Sequence, residues 1–174
     1  MMMRKYLPVL LTFALFTGLA VSAQAQGDRP SPPATAKGMI GDAEVVITYS
    51  QPGVKGREIW GGLVPYGKVW RTGANEATTF ETSAEINFGG KTLPAGKYAL
   101  FTIPEKDKWT FIFNSVPDQW GAYSYDKSKD VLRVTAKPKD SGKMMERMTF
   151  KIENGEVQLW WDKLLVSIAG TAGS

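Results

Sequence analysis

MTFKIENGEVQLWW, residues 148–161, decides the fold class. Met148, Phe150 and Ile152 alternate with polar neighbours, and so do Val157, Leu159 and Trp161 after Asn154-Gly155. A period of two is the mark of a strand with one buried face. Asn-Gly suits the tight hairpin turn that needs positive φ at both central residues. Outward from this hairpin the same pattern recurs. Val45, Ile47 and Tyr49 alternate with Glu44, Val46 and Thr48; Trp109, Phe111 and Phe113 alternate with Thr110, Ile112 and Asn114; Leu132, Val134 and Ala136 alternate with Arg133, Thr135 and Lys137. Lys97 to Ile103 is apolar on both faces, as a central strand requires. Gly89-Gly90 and Leu93-Pro94-Ala95-Gly96 punctuate the middle of the chain. Asp162-Lys163 is expected to turn the chain into a last strand ending near Ile168. No stretch carries a sustained helical period. The expectation is an all-β antiparallel β-sandwich of about seven to nine strands, with a closed barrel as the alternative.

The chain ends carry different signals. Arg4 and Lys5 precede an apolar stretch from Leu7 to Val21, then Ala23-Gln24-Ala25. That is the layout of a secretory signal peptide over residues 1–25, and the apolar run is too short for a membrane span. Residues 26–38, with Pro30, Pro32 and Pro33, read as a Pro-rich extended tether. One β domain then follows over 39–170, with a short tail over 171–174. The chain is therefore expected in the periplasm or outside the cell, with no membrane span after cleavage. Arg4 and Lys5 carry two of the formal +4 charge, and the remaining +2 is spread without a basic block. Nucleic acid is thus not an expected partner.

Between the first strand and the next runs YSQPGVKGREIWGGLVPYGKVWRTGANEATT, residues 49–79, neither helical nor regularly alternating. Long loops in compact domains are functional or disordered, and the aromatic content here argues for order. Arg71 offers a planar fork for a carboxylate, a phosphate or a pair of sugar hydroxyls. Asn75 donates and accepts, Glu76 accepts, and Gly73 lets backbone approach a ligand. The structural alternative pairs Arg71 with Glu76 and lets Asn75 satisfy its own turn. Arg57 and Lys55 add positive charge, although Lys55 suits a solvated loop tip. A second loop carries Trp120 and Tyr123, whose rings present stacking area at small entropic cost if they stand in solvent.

The chain has no Cys and no His. Without disulfides the fold rests on its own core. Without His there is no Ser-His or Cys-His nucleophile system and no His/Cys zinc site, so no metal and no cofactor is expected. Gly90-Lys91-Thr92 resembles the end of a phosphate-binding P-loop, but Glu85 stands where its first Gly belongs and Pro94 where its helix begins. Ser124-Tyr125-Asp126-Lys127 matches S-x-x-K without the companion motifs. Asp118, Asp126 and Asp130 lack the spacing of a calcium loop.

The runs VKGREIWGGLVPYGKVWRTGANEATTF, GGKTLPAGKYALFTIP, WTFIFN and QWGAYSYD resemble bacterial exported proteins of the domain of unknown function 2911 family. The resemblance covers roughly residues 40 to 168, with LWWDKLLVSI fitting as a diverged closing strand pair. It implies an exported β-rich domain and supplies no catalytic residues.

Three readings follow for function. The first is a non-catalytic binding module for a small polar ligand such as a glycan, recognised by Arg57, Trp70, Arg71, Asn75, Glu76, Trp120 and Tyr123. The second is a glycoside hydrolase working with two carboxylates, Glu76 with Asp118 or Asp162. The third is a structural envelope protein. The first is preferred, because it needs no activated group.

Overall fold

The computed structural model describes residues 29–173. The expected leader and the first part of the tether, residues 1–28, lie outside the described residues. In chain order the strands are β1 (Pro33–Ile40), β2 (Ala43–Ser50), β3 (Thr78–Thr82), β4 (Ile86–Phe88), β5 (Lys91–Leu93), β6 (Gly96–Pro104), β7 (Trp109–Asn114), β8 (Asp130–Ala136), β9 (Lys139–Glu153), β10 (Glu156–Ala169) and β11 (Thr171–Ala172). A 3-10 turn, Lys127–Lys129, precedes β8. The pairings between these strands are antiparallel. One six-stranded sheet has the order β1-β2-β3-β6-β7-β8, β9 and β10 form a long ribbon, and β11-β4-β5 form a small third sheet. The architecture is all-β and sandwich-like. The strand count exceeds the expected range because β4, β5 and β11 are too short to show a period.

Three boundaries differ from the sequence expectation. The tether is a strand from Pro33 onward, pairing from Pro33↔Ser50 to Ile40↔Ala43. Pro is tolerated there because β1 is an edge strand and Pro33 opens it, where its missing N–H removes no ladder bond. The expected tail pairs too, Thr171 with Asn87 and Ala172 with Ile86. Asp162 makes no turn: β10 continues through it, with φ 54° and a shift of register on each side. That is a bulge, which bends a strand without ending it.

The central strands explain why β6 reads apolar on both faces. Tyr98 and Leu100 enter the main core with Phe80, Phe111, Phe113, Leu159 and Trp161. Ala99 and Phe101 form a second cluster with Ala77 and Ile112, covered by Val69, Ala122 and Tyr125. One face of the sheet is thus closed by other strands and the opposite face by loops. The β9–β10 ribbon closes the main core. Gly38 of β1 lies so near Ile152 of β9 that a Cβ there would stand 2.6 Å from the Ile152 carbonyl oxygen. At Asn154 and Gly155 φ is 53° and 74°, as the hairpin turn demands.

The long loop between β2 and β3 is ordered by the sheet it crosses. β6 outruns β3, and the loop takes up the vacant side. The Trp70 and Thr102 backbones exchange bonds of 2.8 and 3.0 Å, and Gly67 N–H donates to the Pro104 carbonyl at 2.8 Å. At its other end Val54 N–H donates to the Glu146 carbonyl on β9 at 2.9 Å. An irregular segment survives burial only when its backbone groups find partners in this way.

Candidate functional site

Four tryptophans meet beneath the loop. Trp60 lies edge-on to Trp109 and Trp161, with ring centroids 5.0 and 5.6 Å apart, and Trp70 stacks on Trp161 at 5.9 Å with a 17° tilt. Trp109 and Trp161 are fully buried. The Trp70 indole N–H donates to the Gly73 carbonyl at 3.2 Å. The indole nitrogens of Trp60, Trp109 and Trp161 have no acceptor among the described residues.

Against this cluster opens a cleft of about 270 Å³, lined by Ser31, Pro52, Arg57, Leu63, Val64, Trp70, Arg71, Gly73, Ala74 and Trp161. Arg71 is half-buried, its Nε is sealed from solvent without an acceptor, and no carboxylate pairs with it among the described residues. Arg57, more exposed, donates from Nη2 to the Gly53 carbonyl at 2.6 Å and from Nε to the Val54 carbonyl at 3.2 Å. The two guanidinium groups therefore share a cleft that holds no Asp or Glu.

Arg71 is held from the main chain. Thr78 N–H donates to its carbonyl at 3.1 Å. The next residue, Thr72, is fully buried at φ 54°, a region costly for a β-branched residue. Three contacts hold it there. Its hydroxyl donates to the Trp70 carbonyl at 3.2 Å and lies 3.0 Å from the Thr102 hydroxyl, and its carbonyl accepts from Thr78 Oγ1 at 2.8 Å. Strain of this kind persists only where the surroundings over-determine it, and it gathers at functional sites.

Only three of the seven sequence candidates, Arg57, Trp70 and Arg71, line this cleft. Asn75 stands at φ 60° beside it, with Nδ2 on the Ser50 hydroxyl at 3.3 Å and on the Ser31 carbonyl at 3.4 Å. Glu76 does not pair with Arg71. It accepts from Arg29 Nη1 at 2.9 and 3.1 Å, at the edge of a neighbouring depression with Pro33, Thr48 and Lys97. A bond from its own backbone N–H, and then Arg29, hold its carboxyl below the usual range. Both partners are about half exposed, so the pair contributes little to stability. Trp120 bridges to Glu76 through the backbone, and Gly121 N–H donates to the Asn75 carbonyl at 3.1 Å. The Trp120 ring is 59% exposed and the Tyr123 ring 85%. A Cβ on Gly121 would lie 2.9 Å from the Tyr123 ring and 3.6 Å from Arg71 Nη1, so the aromatic loop flanks the guanidinium.

Trp161 and Ser31 line the cleft without having been singled out. Trp161 reads as an ordinary core position of the hairpin, and Ser31 lies in the stretch read as tether. Arg29, Pro30, Ser31 and Pro32 in fact strap across the loop. Arg147 Nη1 donates to the Pro30 carbonyl at 2.8 Å, and Gln51 N–H to the Pro32 carbonyl at 2.9 Å.

The carboxylates named for a hydrolase do not share a cleft. Glu76 borders the depression beside Arg29, Asp162 lines a separate hollow with Trp60 and Asp140, and Asp118 is exposed on the second loop. Among the described residues no three His, Cys, Asp or Glu side chains gather as metal ligands. Asp126 caps the 3-10 turn and Asp130 is taken up by Tyr125, Arg133 and Asn114.

The family described as "Protein of unknown function (DUF2911)" matches residues 31–169. No curated protein and no solved structure matches the chain.

Proposed function

The chain belongs to the DUF2911 family of proteins of unknown function, and on that premise we propose that it is an exported, non-catalytic binding module for a small polar ligand such as a glycan. The observation that carries this reading is Arg71: a half-buried guanidinium in a cleft, held by strained backbone, with no partner among the described residues. Buried polar groups are ordinarily hydrogen-bonded, and one left open in a concave, Trp-lined site suits a ligand. The exposed rings of Trp120 and Tyr123 beside it suit stacking on a sugar face. Export rests on the basic, apolar and small-residue succession over residues 4–25. A cleft without Asp or Glu gives a two-carboxylate hydrolase nothing to work with.

The test is a binding screen of neutral and acidic mono- and oligosaccharides, read by tryptophan fluorescence because Trp70 lines the cleft. Binding that weakens about tenfold or more in Arg71→Ala and in Trp120→Ala, each folded, is the expected result. Silence across the whole screen, or affinity untouched by both substitutions, sinks the reading.

A further inference from the structure

We infer that the group this cleft recognises is an oxyanion, a carboxylate or phosphate, taken by the Arg71 guanidinium with Arg57 beside it; the inference rests on the binding reading above. Both guanidinium groups line the same cleft. Arg71 is only partly buried, and its side chain has no ion-pair partner among the described residues. Guanidinium nitrogens only donate, so the group that completes them must accept.

Charge narrows the choice among acceptors. A sugar hydroxyl satisfies a donor but leaves the charge where it was. The described partners of Arg57 in this cleft are main-chain carbonyls, and Arg71 has none, so two positive charges stand with no carboxylate in the lining. A ligand oxyanion answers the unpaired donors and the charge together, and a planar guanidinium fork matches its geometry. The Trp70 indole in the cleft lining already donates to Gly73, which leaves its ring to serve as wall.

Size narrows it further. A cleft of about 270 Å³ lies just below the range that drug-sized ligands fill. It fits a single acidic sugar ring.

The experiment is an NMR titration that follows the Trp161 indole N–H and the Arg71 Nε–H as glucuronate, glucose 6-phosphate, inorganic phosphate and glucose are added in turn. The expected result is saturable movement of both signals with the anions and not with glucose, weakening as salt is added. Arg71→Gln is expected to lower the affinity about tenfold or more at unchanged thermal midpoint. Response to glucuronate alone specifies a carboxylate, response to the two phosphates alone specifies a phosphate, and either supports the assignment. Glucose acting as strongly as glucuronate, without salt dependence, overturns the oxyanion while leaving the binding reading intact. Anion shifts that persist undiminished in Arg71→Gln overturn it as non-specific. Signals that no probe moves also overturn it, and the wider saccharide screen then decides the binding reading separately.

Discussion

Arg133 and Arg71 are both partly withdrawn from solvent, and the fold treats them in opposite ways. Arg133 is paired: Nε and Nη2 reach Asp130 Oδ2 at 2.9 and 2.8 Å, and Nη2 meets the Tyr125 hydroxyl at 2.7 Å. Asp130 also accepts from Tyr125 at 2.6 Å and from Asn114 at 3.0 Å. Arg71 has no such shell, although a strained residue fixes its main chain. Networks whose members are all satisfied rigidify a fold, and a donor left open is a cost that stability alone does not explain. The difference separates an arginine paired within the fold from the one on which the binding proposal rests.

The largest effect expected from that contrast is at Asp130. Asp130→Asn removes the charge paired with Arg133 and one of the two acceptor oxygens, so that Arg133, Tyr125 and Asn114 compete for a single amide oxygen. A loss of about 2 kcal/mol in denaturant unfolding is expected, below the scale of a fully buried charge pair because the Arg133 side chain is one-third exposed. A cost near zero would remove the contrast at its strong end.

Tyr125→Phe comes next, at about 1.5 kcal/mol near neutral pH for a hydrogen bond to a charged group. This position also gives the network a pH signature. Burial first, and then the bond to Asp130, push the Tyr125 phenol from 10.0 up to about 12. The folded chain keeps that proton where the unfolded chain has released it. The contribution is therefore full below pH 10.0 and is lost as pH rises through about 12. Unfolding midpoints measured across this window should fall more steeply for the native chain than for Tyr125→Phe. Parallel curves would show that folding does not shift the Tyr125 phenol.

The smallest effect belongs to Arg71→Gln, expected within about 0.5 kcal/mol of the native chain or slightly more stable. Removing an unsatisfied donor takes no partner's bond with it. A loss on the scale of Asp130→Asn would make Arg71 a second staple and close the contrast from the other side.

How much of this was legible follows the reach of each signal. Alternation marked β2, β7, β8 and the hairpin arms, and Asn154-Gly155 marked their turn, because those signals are local. The length and composition of the loop after Ser50 singled out Arg57, Trp70 and Arg71 as candidates. The extension of β9 over Lys139–Met145 was not legible, since it is largely exposed and has no buried face to impose a period. Prolines hid β1, because an edge strand tolerates them. The partner of Glu76 was not legible for a different reason: Arg29 lies 47 residues away, in a stretch whose composition suggests a tether. Trp161 could not be told from other core aromatics, because an unpaired indole donor is a property of its surroundings.

The strap that walls the cleft has a consequence in time. Pro30 and Arg147, which fix it, lie 117 residues apart in the chain. Contacts of such sequence separation form slowly, after the loop entropy of the intervening chain has been overcome. Ser31 is held from both sides, by Asn75 and the Gln51–Pro32 bond near it and by Arg147 on β9 through the residue before it. Of the strap's anchors, the one on β9 is the last to be synthesised: a chain interrupted before residue 147 would hold Gln51 and Asn75, which also bind the strap, but would lack Arg147 and the ribbon that closes the main core.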